Sequence, residues 1–254
     1  MGKKVFIISC VLAMAFISGC CWIPIVKYTK QVNLTIPAGK ASSFTAKTHN
    51  CKIAIKGSET TDCNLTAEII VRACTEESAR KIAEQVKITL LPEGNSINVK
   101  IEKPENSIFG QIDVNLDVNL PAGMSLDLAS HNGSIIITGT SADAKVSTHN
   151  GNIDYKGMSA DLKFDTHNGN IDIQCKGQSA KPCGITAETH NGNIDFAAPE
   201  KFSALVDAST HNGFIHSNLP ITAAGKINKT LKGTIGDGRD KLFLKTHNGL
   251  INIK

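Results

Sequence analysis

The sequence predicts a mainly all-β chain: a right-handed β-solenoid-like repeat of about 20 residues per rung, preceded by a β-rich segment with one helix. Three observations point there. The phrase Thr/Ser-His-Asn recurs seven times, followed by Gly in all copies but the first, and holds seven of the eight histidines. Apolar residues alternate with polar ones on both sides of each copy, as in half-buried strands. Charge is modest and evenly spread: 27 Lys and Arg against 23 Asp and Glu, with only 5% aromatic residues.

From the N-terminus, Lys3 and Lys4 precede an apolar run, Val5 to Ile17. That run is too short for a bilayer core, which needs roughly 20 apolar residues, and suits the central region of a signal peptide. It ends in Ile17-Ser18-Gly19-Cys20, which resembles the lipobox of bacterial lipoprotein precursors. That resemblance implies cleavage before Cys20, acylation of its thiol (palmitate) and a lipid-anchored envelope protein. Cys21 follows where an inner-membrane retention Asp would stand, which favours the outer membrane in a cell that has one. The expected segments are a signal peptide at 1–19, a lipid-anchored tether at 20–31, a β-rich region with one helix at 32–120 and the repeats at 121–254.

Between Val32 and Leu120 the pattern is less regular. Thr75 has the form of an N-cap, with Glu76 and Glu77 in the first turn and Ala79, Ile82, Ala83 and Val86 at helical spacing. A helix is expected over 76–86. Strands are expected over Leu65 to Val71, Lys87 to Leu91, Ile97 to Ile101 and Ile112 to Leu120. Pro121-Ala122-Gly123 marks the entry to the repeats, and the isolated copy at Thr48 is expected to be an early rung separated by this insertion.

Within the repeats, parity flips across Asn-Gly: Leu162, Phe164 and Thr166 share one parity, Ile171 and Ile173 the other. An extra step is absorbed there, by a turn expected to use glycine at positive φ. Two architectures satisfy this. Asn-Gly is either a two-residue hairpin turn or a solenoid corner, the arrangement favoured because like residues then stack on like, with Thr and Asn on an inner column. Second corners are expected at Gly139-Thr140, Gly157-Met158 and Gly177-Gln178.

The Asn-Gly plus Ile-strand repeat, with Gly233-Thr234-Ile235-Gly236-Asp237-Gly238 before a final Thr246-His247-Asn248-Gly249, resembles the bacterial β-strand-repeat family named "putative adhesin", a domain of unknown function. The resemblance covers roughly Val32 to Lys254. It implies a solenoid-like fold on the cell envelope and no established catalytic residues. The chain departs from the family in placing His before Asn-Gly every time.

Six cysteines remain once Cys10 leaves with the signal and Cys20 takes the lipid. An even number in an exported chain suggests disulfides. Cys175 and Cys183 make the one compelling local pair, closing a loop from Lys176 to Pro182; pairings of Cys21, Cys51, Cys63 and Cys74 stay open. By parity His131, His149, His167, His190 and His211 face outward in a column, near outward Asp154, Asp172 and Asp195. Such a column is a structural ladder, a metal site or a polyanion site. The polar residues repeat evenly. No Ser-His-Asp elbow, phosphate loop or His-Glu-x-x-His occurs, so no enzyme and no cofactor is expected. No basic stripe or stacking aromatics mark a nucleic-acid partner. The expected role is a non-catalytic surface for adhesion or scaffolding, with an envelope polymer or matrix protein as partner. The alternatives are metal or polyanion sensing by the histidines and, third, a polysaccharide-acting enzyme.

Overall fold

The computed structural model describes residues 7–10, 26–104, 111–223 and 228–254. Two eleven-stranded sheets share one hydrophobic core. The strand before each His-Asn lies in one sheet, called here the histidine sheet, and the strand after it lies in the other, the isoleucine sheet. Each Asn-Gly is the corner between them. Neighbouring rungs are parallel and in register: Thr148 is level with Thr166, and Thr166 with Thr189. Parallel pairing of strands one repeat apart selects the solenoid over the hairpin.

The alternation does what the sequence predicts. In Leu162–Asn168 the apolar Leu162 and Phe164 and the Thr166 hydroxyl are buried, while the residues between them are exposed. Across the corner, Ile53, Ile135, Ile153, Ile171, Ile194 and Ile251 are each at most 1% exposed and stack as one inward column.

The order of the rungs departs from the order of the sequence. In the histidine sheet the parallel strands run Ser43–Asn50, Ser125–Asn132, Ala144–Asn150, Leu162–Asn168, Gly184–Asn191, Asp240–Asn248, Ala204–Asn212. The chain's last rung is thus inserted between two earlier ones, pairing with Gly184–Asn191 on one side and Ala204–Asn212 on the other. The isoleucine sheet repeats this, with Ile251–Ile253 between Ile194–Ala197 and Ile215–Ser217. The intervening Thr230–Ile235 folds back antiparallel on Ala204–Ser209 and covers that end of the histidine sheet.

The copy at Thr48 is a true rung: Ser43–Asn50 stacks directly on Ser125–Asn132, and Ile53–Ser58 on Ile135–Thr138. The insertion between them builds the other end. Gln111–Pro121 lies parallel to Ile53–Ser58, then Asp62–Ala73 and Val26–Pro37 follow antiparallel. In the histidine sheet Ser96–Glu102 and Lys87–Glu93 close the end. The four strands expected in this region are all present.

The helix spans Glu76–Gln85, with the Thr75 hydroxyl accepting from the Ser78 N–H at 3.2 Å. It ends one residue before the expected Val86, whose backbone is extended. Ala79 and Ala83 are fully buried against Val26–Pro37 and Asp62–Ala73.

Two boundaries differ from expectation. Val26–Pro37 is a strand, so it takes up half of the expected tether, and Ile7–Cys10 lies antiparallel on its edge. The segments 32–120 and 121–254 share both sheets and a single core. Cys20 and Cys21 lie outside the described residues, as does most of the expected signal peptide.

Glycine's role at the corners also differs. None of the Asn-Gly corner glycines has a left-handed φ; Gly192, at 159°, is extended, and the positive φ falls instead at the second-corner Gly139, at 71°. What excludes a side chain is proximity. A Cβ on Gly133, Gly151, Gly169, Gly192, Gly249 or Gly213 would lie well under 3.0 Å from the corner carbonyl of the rung on its Cys51 side. Cys51 is the first corner in this stack, with no Asn-Gly corner beyond it. That explains why the first copy alone carries a side chain there.

Candidate functional site

The corner is a set of parallel polar columns, built because in-register rungs bring identical side chains within reach of one another. Innermost are the Thr and Ser hydroxyls. Thr148 donates to the Gly133 carbonyl at 3.0 Å, Thr166 to Gly151 at 3.0 Å, Thr189 to Gly169 at 2.9 Å, Thr246 to Gly192 at 2.8 Å and Thr210 to Gly249 at 2.9 Å. Ser130 does the same to Cys51 at 3.1 Å. Each bond satisfies a carbonyl that the close corner shields from water.

The asparagines form the next column, but on the outside rather than with the threonines within. Asn132, Asn150, Asn168, Asn191, Asn248 and Asn212 are exposed, and each donates an amide hydrogen to the neighbouring side-chain carbonyl at 2.7–2.9 Å. A second asparagine column, unforeseen from sequence, bonds the backbone instead. Asn152, Asn170 and Asn193 accept from the N–H of the next rung at 2.8–2.9 Å. The Asn-Ile that follows Gly151, Gly169 and Gly192 was its visible signal.

The histidines form one continuous exposed column of seven: His49, His131, His149, His167, His190, His247, His211. Ring centroids are 4.6–4.9 Å apart and planes are within 7° of parallel. The five histidines expected to align do so, joined by His49 at one end and His247 near the other. His247, flanked by His190 and His211, is held below the ordinary imidazole value by desolvation and then by its neighbours' charge. Beside the column is a shallow groove of about 570 Å³, bordered by Asp165, His167, Glu188, His190, His211, Lys245 and His247.

This geometry argues against the metal alternative. Two nitrogens on one ion, each at roughly 2.1 Å, must lie within about 4.2 Å of each other. Parallel rings translated by 4.6–4.9 Å hold equivalent nitrogens farther apart than that. Among the described residues no cluster of three or more His, Cys, Asp or Glu is placed to hold a metal.

Asp154, Asp172 and Asp195 align in their own column on the isoleucine sheet. Among the described residues none forms an ion pair with a histidine. Asp195 instead pairs with Lys254 at 3.2 Å, and Asp154 is pushed above the usual carboxylate range by burial and by Asp172.

The inserted loop between rungs runs from Gln178 to Cys183, because the strand continues through Gly177. Cys175 and Cys183 are both buried and carry free thiols in this structure. Burial pushes them up to about 11 and about 12 respectively.

The solved structure of a protein described as a putative cell adhesion protein, from Clostridium sporogenes ATCC 15579, has a similar fold: TM-score 0.51 at 13% identity, over 89% of this chain and 99% of that one. A putative adhesin from Bacteroides fragilis NCTC 9343 aligns over 88% and 97% at 12% identity with TM-score 0.44. A protein described as a putative lipid binding protein, from Parabacteroides distasonis ATCC 8503, aligns over 90% and 97% at 11% identity with TM-score 0.30. Among curated proteins no match is found. The family model described as Toastrack DUF4097 matches residues 13–254, nearly the whole chain, and the protein therefore belongs to the Toastrack DUF4097 family.

Proposed function

We propose that this chain is a lipid-anchored envelope protein whose solenoid presents a regular, non-catalytic surface for adhesion or scaffolding. The observation that carries the reading is the evenness of the exposed chemistry. Every rung repeats the same His and Asn at the same height, from His49 to His211. Catalysis needs distinct acids, bases or ligands converging on one point. A surface that holds a long partner needs the reverse, the same modest contact many times over. The description of the Clostridium sporogenes neighbour as a cell adhesion protein is in keeping with this.

The anchor rests on Ile17-Ser18-Gly19-Cys20. No helix among the described residues is long and apolar enough to cross a membrane. A lipid on Cys20 would hold the solenoid at the membrane surface.

The test is a retention screen. Protein purified from membranes in mild detergent is presented to arrays of glycans and matrix proteins, with heat-unfolded protein as the reference. Retention that needs the folded solenoid and leaves the glycans chemically unchanged supports the reading. Cleavage of a polysaccharide, or no retention above the unfolded reference, refutes it.

A further inference from the structure

The histidine column has a property that a ladder of asparagines alone would lack. It is nearly uncharged under one condition and densely cationic under another. Charged groups facing it are few and balanced. The neighbouring outward column of the histidine sheet holds Lys47, Asp165, Glu188 and Lys245. One column farther are Asp127, Lys145, Lys163 and Asp207, of which Asp127 pairs with Lys47 and Asp207 with Lys232. On the other side the asparagine column is neutral, and past the corner the first outward column carries a single charge, Lys52. Asp154, Asp172 and Asp195 sit one column beyond that, on the isoleucine sheet.

Imidazole is the side chain whose ordinary ionisation falls just below neutrality. Above that range the stretch carries almost no net charge. Below it, up to seven cations stand in a straight row with centroids 4.6–4.9 Å apart. A ligand carrying negative charges in a row is attracted along the whole length of such a row of cations. The site would therefore bind best a ligand whose charges are also in a row.

We propose that the histidine column and its groove bind a linear acidic polysaccharide, engaged when the surroundings turn acidic. This rests on the surface-presentation reading above and names its ligand and its control. A sugar polymer fits because the row offers more than charge. Each asparagine amide spends one hydrogen on its neighbour and keeps a second for a ligand. Asp165, Glu188 and Ser209 border the groove as acceptors for sugar hydroxyls. Lys245 adds one permanent cation. A uronate polymer carries one carboxylate per ring, so its charges too are strung in a row. A nucleic acid would call for Phe, Tyr or Trp faces open to its bases; the groove has none of these, and its imidazoles are stacked on one another.

The probe is sodium polygalacturonate, with its fully methyl-esterified form as the neutral partner and an oligothymidylate as the nucleic-acid arm. Binding to the detergent-purified protein is measured near pH 5.5 and near pH 7.5, where the polymer stays ionised throughout. The expected result is roughly tenfold tighter binding at the lower pH, weakened by salt and absent for the ester. Changing His167, His190 and His247 together to Gln should remove most of the pH difference while the far-UV spectrum at pH 7.5 is unchanged. The single change His190→Gln, which leaves six imidazoles, should reduce the difference partway.

Equal binding at both pH values overturns the proposal. So does equal binding of the ester, or binding of the oligothymidylate as tight as that of polygalacturonate. A triple variant indistinguishable from wild type refutes the role of the column. If polygalacturonate is never bound but the retention screen finds another partner at pH 7.5, the acidic-polysaccharide proposal is wrong and the presentation reading stands.

Discussion

Changing Gly169 to Ala tests whether backbone proximity, rather than left-handed φ, fixes the corner residue. The added Cβ would meet the Gly151 carbonyl oxygen well under 3.0 Å away, and both are backbone-held. Restoring an ordinary contact requires the two corners to part by roughly 1.4 Å or more. That separation breaks three bonds. They are Thr166 to the Gly151 carbonyl at 3.0 Å, Gly151 N–H to the Asn168 carbonyl at 3.0 Å, and Asn168 to Asn150 at 2.8 Å. At about 1 kcal/mol each the loss is about 3 kcal/mol. The upper end of the overpacking range gives the same figure, about 3 kcal/mol. In a domain of this size that lowers Tm by roughly 6–12 °C. Gly123 supplies the contrast: it is exposed, its φ is not left-handed and a Cβ there meets nothing within 4 Å. Gly123→Ala should leave Tm unchanged or raise it, since replacing Gly at a compatible site stabilises by about 0.4–1 kcal/mol. Thermal melts followed by circular dichroism compare the two. A Gly169→Ala protein melting within a degree or two of wild type would refute the reasoning.

Thr166→Val should destabilise by about 1–3 kcal/mol by leaving the Gly151 carbonyl unpaired, whereas Thr166→Ser, which keeps the hydroxyl, should lose about 0.8 kcal/mol for one methyl group; urea melts rank the pair, and the reverse order would dismiss the hydroxyl's role. Zinc or nickel should leave Tm unmoved, because the nitrogens do not converge; a metal-dependent rise would show a chelate that the parallel rings do not offer. His247 is held low when folded, so the unfolded chain takes up its proton more readily. Its contribution to stability should be complete above about pH 6.5 and decline as pH falls below it, and it should vanish from the pH profile of His247→Gln. Cys175 and Cys183 are proposed to join as a disulfide in the exported protein, adding about 2.5 kcal/mol through closure of a short loop. Recovery of both as alkylated thiols without reductant would exclude the bond. Cys20→Ser should free the protein from membranes, and an unmodified intact mass for wild type would remove the anchor.

Much of this architecture was legible because the repeat reports on its own environment. Alternation around Leu162, Phe164 and Ile171 gave the faces of both sheets, and the parity flip at Asn168-Gly169 gave the corner. Thr75 with Glu76 and Glu77 marked the helix start because an N-cap is a local device, independent of tertiary packing. The order of the rungs was not legible. Every rung offers the same Thr, His and Asn to its neighbour, so the phrase says that two rungs are able to stack without saying which two do. Nothing in the 36 residues from His211 to His247 marks a return to an earlier rung. The reason for glycine was missed because a shielded corner and a left-handed turn select the same residue. The asparagines were placed inside because their parity matched the threonines, but the chain turns between them and the amides emerge on the rim.

The inserted last rung makes the fold's final closure a contest. While the chain emerges from its N-terminus, the rungs through Ile194–Ala197 can assemble in order. The next rung to appear, Ala204–Asn212, carries the same phrase as the terminal one and fits the growing edge of Gly184–Asn191 in the same register. Yet in the finished molecule that edge belongs to Asp240–Asn248. The earlier arrival must either wait or be displaced when Asp240–Asn248 comes. A chain halted before Asp240 thus has an alternative stack open to it, one rung shorter and closed with the same bonds. The arrival of Asp240–Asn248, and not merely collapse of what precedes it, decides which strand becomes the neighbour of Gly184–Asn191.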